Sequence, residues 1–163
     1  MFLAVHGTVG AIVGNAVGEP ITAFSLNFIL HFLLDMIPHG DQIIYEQYKQ
    51  KKKLRLAMMH TSLDAAATLS VLSIIFLLGE SISGVGAAAG VIGGLLPDFL
   101  VGLYELIRPA GSRWSGQQLT KFNDLHMRNH MFLIQRLFHR DIPLHYGYLM
   151  QAVGLVVILK ILL

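Results

Sequence analysis

Five long apolar stretches, separated by short polar segments, constrain this chain more than any other feature. They cover residues 2–17, 21–37, 54–78, 82–107 and 144–163. A helix needs roughly 20 mainly apolar residues to cross the hydrocarbon core of a bilayer. Four stretches meet that requirement, and the first comes close with small residues. We therefore predict an all-α, polytopic membrane helix bundle with about five transmembrane helices, in a single domain covering residues 1–163.

Composition supports this fold class and excludes several kinds of chemistry. Hydrophobic residues make up 54% of the 163 residues and charged residues only 13%, far from the average of soluble domains. The chain has no Cys, which excludes disulfides, thiolate nucleophiles, cysteine zinc sites and iron–sulfur clusters. Any bound metal must be held by His, Asp or Glu.

The distribution of positive charge predicts the orientation in the membrane. Lys and Arg cluster after the second apolar stretch, around 49–55, and after the fourth, between 108 and 140, whereas the connections at Glu19 and Glu80 carry none. Because positive loops stay cytoplasmic, we expect an inner-membrane protein with its N-terminus inside. The net charge is only +2, and the unequal spread of Lys and Arg indicates sidedness in the membrane rather than a nucleic-acid partner. The first stretch lacks the basic region of a secretory signal, so we expect a mature helix, with a signal anchor as the alternative.

A sixth helix is predicted between the fourth and fifth stretches, over about 117–139. Its apolar residues recur at helical spacing on one stripe, and its charged residues lie on the opposite face. This pattern is typical of an amphipathic helix on a membrane surface, here the cytoplasmic one. His126 and His130 lie on the apolar stripe.

Ionisable residues inside apolar helices are costly and call for a functional explanation. The second stretch carries Asn27, His31 and Asp35 at four-residue spacing, followed by Pro38-His39-Gly40-Asp41. The third stretch carries His60 and Asp64, again four residues apart. A spacing of four places two side chains one helical turn apart, where they can share a cation or orient each other.

Glycine repeats predict which faces turn inward. Gly86, Gly90 and Gly94 lead in register to Asp98, and His6 leads to Gly10, Gly14 and Gly18. Such stripes allow helices in lipid to pack closely. If the glycine faces point inward, His6 and Asp98 also point inward, and the orientation places the polar residues toward the cytoplasmic side. We therefore expect one buried site that opens to the cytoplasm.

These residues predict a divalent-metal site. The candidate ligands are His6, His31, Asp35, His39, Asp41, His60, Asp64, Asp98, His126 and His130. Carboxylates and imidazoles without thiols suit zinc, with manganese or iron as alternatives, and the set could hold one ion or two bridged by Asp.

The corresponding chemistry is hydrolysis of a phosphoester or lipid headgroup, such as that of a phospholipid, by metal-activated water. The catalytic candidates are Asp35, Asp64 and Asp98, and the candidates for binding phosphate are Arg108, Arg113 and Arg128. The alternatives are hydrogen-bonded structural His–Asp pairs, a di-iron hydroxylase, and a non-enzymatic metal-binding scaffold or transport-related protein. The outer halves of the helices are rich in Gly, Ala and Leu, which favours a closed site over a transport path.

Three short motifs resemble a known group of proteins. They are His31-Phe-Leu-Leu-Asp35-Met-Ile-Pro38-His39-Gly-Asp41, Gly94-Leu-Leu-Pro97-Asp98 and the N-terminal His6-Gly7. They resemble small membrane-bound metal-dependent hydrolases, including the LexA-binding, inner membrane-associated group, and are distantly similar to zinc-dependent phospholipases C. The resemblance implies a helical fold and a His/Asp metal site.

Overall fold

The computed structural model describes residues 2–40, 42–50, 54–78, 84–107 and 114–162, and within these ranges the chain is helical without a strand. Seven α-helices and one π-helix follow each other in the described ranges. They are α1 (Leu3–Val17), α2 (Pro20–Asp35), α3 (Gln42–Lys49), α4 (Leu54–Leu78), α5 (Gly84–Ile107), α6 (Trp114–His130), the π-helix Ile134–Phe138 and α7 (Leu144–Leu162). The predicted helical bundle is confirmed.

Each of the five apolar stretches forms a helix, but the helices differ in length. Met58–Leu78 within α4 and Gly84–Ile107 of α5 are long and apolar enough to cross a membrane. The apolar parts of α1, α2 and α7 are shorter, at Leu3–Val17, Pro20–Asp35 and Leu144–Lys160. Two candidate spans therefore meet the length test among the described residues, and the five-span arrangement stays a prediction.

Close packing of α1 and α2 against α5 forms the centre of the bundle. A Cβ atom on Gly10 would lie 2.5 Å from the carbonyl oxygen of Gly90, and one on Gly14 would overlap the carbonyl of Gly86. On the other side, Gly93 of α5 meets the backbone of Phe24 in α2. Only glycine permits this backbone approach, so the predicted role of the glycine stripes in packing is confirmed.

The predicted surface helix is interrupted near its end. α6 ends at His130, and the chain continues into the π-helix Ile134–Phe138. Leu137, which α-helical spacing places on the inner stripe, is 67% exposed, whereas Ile134 is only 3% exposed. The reason is that a π-helix bonds residue i to i+5, which shifts the inward-facing positions relative to an α-helix.

Helix α3 has no counterpart among the predicted elements. Its eight residues, Gln42–Lys49, are too few and too polar to meet the test applied to apolar stretches. Tertiary contacts secure it instead. Nζ of Lys49 lies 2.6 Å from Oε1 of Glu105 in α5, and the hydroxyl of Tyr45 donates to the same oxygen at 3.2 Å. Burial lowers the pKa of Lys49, but the hydrogen bonds to Glu105 and Tyr45 and the charge of Glu105 together outweigh burial and raise it.

Candidate metal centre

Asp35, the last residue of α2, lies at the centre of the candidate site. It is 1% exposed, and three imidazoles surround its carboxylate. Nε2 of His6 lies 3.0 Å from Oδ1, while Nε2 of His31 and Nε2 of His126 lie 3.0 and 3.3 Å from Oδ2. These histidines come from α1, α2 and α6, so three helices converge on one buried carboxylate. A buried carboxylate needs such partners, since its desolvation is costly.

Asp98 of α5 completes a group of four potential ligands. Its Oδ1 lies 3.7 Å from Nε2 of His31 and 3.6 Å from Nε2 of His126. We call His31, Asp35, Asp98 and His126 the primary cluster; each offers one ligand atom, and these atoms all lie within 4.8 Å of one another. Tetrahedral zinc with bonds of about 2.0–2.2 Å separates its ligand atoms by roughly 3.3–3.6 Å. The observed N···O separations bracket that range, so this cluster could hold a metal ion.

The two ring nitrogens of His31 are arranged as in a histidine that binds a metal ion: one donates to a backbone carbonyl and the other faces the site. Its Nδ1 lies 2.8 Å from the carbonyl oxygen of Gly94, and because a carbonyl only accepts, Nδ1 carries the hydrogen. In the neutral ring, Nε2 then turns its lone pair toward Asp35 and Asp98. No hydrogen bond of good geometry reaches this buried nitrogen from the described residues. Histidine ligands commonly donate their second ring N–H to a backbone carbonyl in this way.

The local sequence of α5 places the carbonyl of Gly94 beside His31. Pro97 lies inside the helix, where its missing N–H leaves the carbonyl of Gly93, one residue before Gly94, without its helical donor. A Cβ atom on Gly94 would lie 2.8 Å from the carbonyl oxygen of His6, so glycine lets α1 approach at this level. The step Gly94-Leu-Leu-Pro97-Asp98 therefore supplies both the acceptor for His31 and the carboxylate of Asp98.

His126 is held in the cluster by the packing of α6 on α2. Nδ2 of Asn129 donates to the carbonyl oxygen of Phe32 at 2.7 Å, and the ring of Phe122 lies 6.2 Å from that of Phe32. Burial lowers the pKa of His126 to about 4, although the nearby Asp35 carboxylate raises it. The imidazole is therefore neutral at pH 7 and retains a lone pair for a metal ion.

His6 lies beside the primary cluster and orients it. Its Nε2 bonds to Oδ1 of Asp35 at 3.0 Å, and its ring stacks on that of His31 with 4.0 Å between centroids. Since Oδ1 is occupied by His6, Asp35 presents Oδ2 to His31 and His126. The sequence predicts His6 as a metal ligand. In the structure, His6 forms a hydrogen bond with Asp35, which is itself a candidate ligand.

A second group of potential ligands adjoins the first. Asp35, His39 and His130, which we call the accessory cluster, offer one ligand atom each, again all within 4.8 Å of one another. His39 is 1% exposed, and its ring lies 4.6 Å from that of His130. Asp35 belongs to both clusters.

His60 and Asp64 do not join either cluster. Oδ2 of Asp64 accepts the backbone N–H of Leu3 at 2.9 Å, and Oδ1 accepts that of Ala4 at 3.4 Å. The ring of His60 packs against Phe2 and Tyr148. Asp64 therefore caps the N-terminus of α1, whose first backbone donors need acceptors from outside the helix. The spacing of four residues in α4 predicted a metal pair, whereas the structure uses the carboxylate as a cap.

The predicted arginines make no part of the described site. Arg108, Arg113 and the candidate ligand Asp41 lie outside the described residues. Arg128 is described and exposed, and it does not line the cavity next to the clusters. Its position two residues after the inward-facing His126 turns it to the other side of α6.

A cavity of about 360 Å³ connects both clusters to the surface. It lies between α3, α5 and α6, so the unpredicted helix α3 forms one of its walls. The lining residues are Gln42, Tyr45, Glu46, Asp98, Val101, His126, Met127, His130 and Met131. Asp98 and His126 of the primary cluster line the cavity, as does His130 of the accessory cluster.

Comparisons with known protein families, curated proteins and solved structures return no match. The resemblance to membrane-bound metal-dependent hydrolases therefore stays a prediction.

Proposed function

We propose that this protein is a membrane-embedded, metal-dependent hydrolase that acts on a phosphoester or a lipid headgroup. The observation that carries the proposal is the primary cluster of His31, Asp35, Asp98 and His126 at the wall of a cavity. Two imidazoles and two carboxylates suit zinc, with manganese or iron as alternatives. A bound ion of this kind lowers the pKa of a water ligand and polarises a phosphoryl oxygen.

The two carboxylates of the cluster differ in their surroundings, and we assign them different roles. Asp35 is buried, contacts three imidazoles and is 1% exposed, so it holds the cluster together. The side chain of Asp98 is 24% exposed and lines the cavity. A carboxylate that is accessible from the cavity can accept a proton from an attacking water. Asp98 is therefore our candidate for proton transfer.

The proposed membrane location is supported by the exposure of the long apolar helices. Only 11% of the most apolar window of α4 and 33% of that of α5 is buried within the molecule. The core helix of a soluble protein would be mostly buried, and large exposed apolar surfaces are typical of lipid or protein contact. In our proposal, α1, α2, α4, α5 and α7 cross the inner membrane, and the clusters face the cytoplasm.

The cavity favours an amphiphilic substrate over a small water-soluble phosphoester. Tyr45, Val101, Met127 and Met131 give it apolar walls, and Asp98, His126 and His130 give it a polar end. A phospholipid matches this division, because its phosphate can approach the clusters while its glycerol and acyl atoms contact the walls. Methionine side chains adapt to ligands of irregular shape.

The proposal is tested by combining metal analysis with an assay. Detergent-purified protein is analysed for bound metal by mass spectrometry, then assayed on phospholipids in mixed micelles before and after chelation. We expect bound zinc, manganese or iron, turnover that chelation abolishes and metal restores, and loss of turnover in Asp98→Asn. The control Asp124→Asn changes an exposed carboxylate of α6 and should keep turnover. Bound metal without turnover of phospholipids would favour the metal-binding scaffold, and protein that binds no divalent ion would overturn the proposal.

A further inference from the structure

We propose that the accessory cluster binds a second divalent cation, so that Asp35 bridges two metal ions through its carboxylate. The inference rests on the proposed function, because it takes the primary cluster as the site of the first ion. It assigns Asp35, His39 and His130 to the second ion.

The shared position of Asp35 supports a bridge between the clusters. A carboxylate oxygen of Asp35 lies within 4.8 Å of the ligand atoms of His31, Asp98 and His126, and a carboxylate oxygen of Asp35 also lies within 4.8 Å of those of His39 and His130. A carboxylate has about four lone-pair positions, enough to accept the hydrogen bond from His6 and still contact two ions. Bridged ions in hydrolytic enzymes lie about 3.5–4 Å apart, which is compatible with two ligand groups that share one side chain.

The ring of His39 is oriented as a ligand in the same way as that of His31. Its Nδ1 lies 2.6 Å from the carbonyl oxygen of Ile37, so Nδ1 carries the hydrogen and Nε2 carries the lone pair. The rings of His39 and His130 lie 4.6 Å apart at an angle of 59°. Two imidazoles can therefore approach one ion from different directions, with Asp35 as the third ligand.

The turn that carries His39 contacts residues near the other end of the chain. A Cβ atom on Gly147 of α7 would overlap the carbonyl of His39, so the two backbones are in direct contact. Gly40 has φ +85°, a conformation that favours glycine, and its N–H donates to Oδ1 of Asp141 at 3.0 Å. Contacts of this kind preorganise a ligand before the ion binds.

The charge of the cavity also favours two ions. Its lining among the described residues contains the carboxylates of Glu46 and Asp98 but no Lys or Arg. The two carboxylates of the clusters neutralise one divalent ion. A second divalent ion would leave net positive charge beside the cavity, which can stabilise a bound phosphate. Because Asp98, His126 and His130 all line the cavity, both ions would face the same bound substrate.

The test uses the full chain in detergent, stripped with a chelator and titrated with Mn²⁺ alone. We expect two equivalents per chain and, at full loading, an electron paramagnetic resonance spectrum of exchange-coupled ions. His130→Ala and His39→Gln should each reduce binding to one equivalent with an isolated-ion spectrum, and the control His145→Ala, at an exposed histidine outside both clusters, should keep two. The wild-type titration needs no variant, so a misfolded variant leaves the test intact.

The outcomes separate this inference from the proposed function. One equivalent in the wild type that is lost in His126→Ala but kept in His130→Ala overturns the second site and leaves the first. Two equivalents without exchange coupling overturn the bridge. No bound Mn²⁺, together with no bound Zn²⁺ or Fe²⁺ in parallel titrations, overturns both proposals.

Discussion

Nδ1 of His31 donates a hydrogen bond to the carbonyl oxygen of Gly94 at 2.8 Å. This single contact links α2 to α5 and determines which ring nitrogen faces Asp35. Since Nε2 then turns a lone pair toward two carboxylates, the arrangement is attractive only with a proton or a metal ion between them.

Asp35→Asn should abolish metal binding at the primary cluster. The amide keeps the size of the side chain but removes the charge that His6, His31 and His126 surround. Substitution of a residue that only supports the metal ligands typically lowers metal affinity by roughly 10–100-fold. We expect a larger loss of affinity here, measured by competition with a chelator of known affinity. Asp124→Asn is the matched control on the exposed face of α6. Metal binding of wild-type strength in Asp35→Asn would contradict the assignment.

His6→Gln should weaken metal binding without changing its stoichiometry. His6 bonds to Oδ1 of Asp35 and stacks on His31, so its loss leaves the ligands in place but less well oriented. We expect affinity to fall by about 10–100-fold, with the full number of ions recovered at saturating metal. Loss of one ion at saturation would instead make His6 a ligand. His145→Gln, at an exposed position, serves as the control.

Asp64→Ala should reduce stability and leave the metal in place. The carboxylate accepts the backbone N–H groups of Leu3 and Ala4 at the start of α1. Loss of a helix cap costs about 1 kcal/mol, so the midpoint of unfolding in detergent should fall while metal content stays that of the wild type. A variant that folds normally but has lost its metal would return Asp64 to the ligand set.

Gly90→Ala should be far more destabilising than Gly102→Ala in the same helix. A Cβ atom on Gly90 would overlap the carbonyl oxygen of Gly10, whereas one on Gly102 has no atom within 4 Å. Forced separation of α1 and α5 should cost about 1–3 kcal/mol, and Gly102→Ala should be neutral or slightly stabilising. Thermal unfolding of both variants measures the difference, and equal stabilities would contradict the close contact of the two helices.

Glu19 should contribute a pH-dependent part of the stability. Hydrogen bonds from Thr22, and from the backbone of Ile21, lower its pKa below the ordinary value of 4.5. Because the pKa of Glu19 is lowered by folding, the carboxylate stabilises the folded state fully above pH 4.5. This stabilisation is lost as the pH falls through the folded-state pKa of Glu19. The difference in unfolding midpoint between wild type and Glu19→Gln should therefore shrink below pH 4.5, and a constant difference would contradict the cap.

Local spacing predicted a large part of the fold and several partners in the site. The apolar stretches and the inward direction of the glycine stripes depend on residues close in sequence, where helical periodicity applies directly. The same periodicity placed His31 and Asp35 on one face and His126 and His130 on another. It also suggested His60 with Asp64, because spacing alone does not distinguish a metal pair from a carboxylate that caps another helix.

The sequence by itself determined that this chain is a bundle of apolar helices with buried histidines and aspartates, since both properties follow from composition and period. Only the tertiary structure decided which of those side chains meet. It brought Asp35 of α2 and Asp98 of α5 together and placed Asp64 at the start of α1. It also placed the unpredicted α3 beside the cavity, where Lys49 contacts Glu105. These choices depend on how whole helices pack against one another, which is a sum of many contacts between residues distant in sequence.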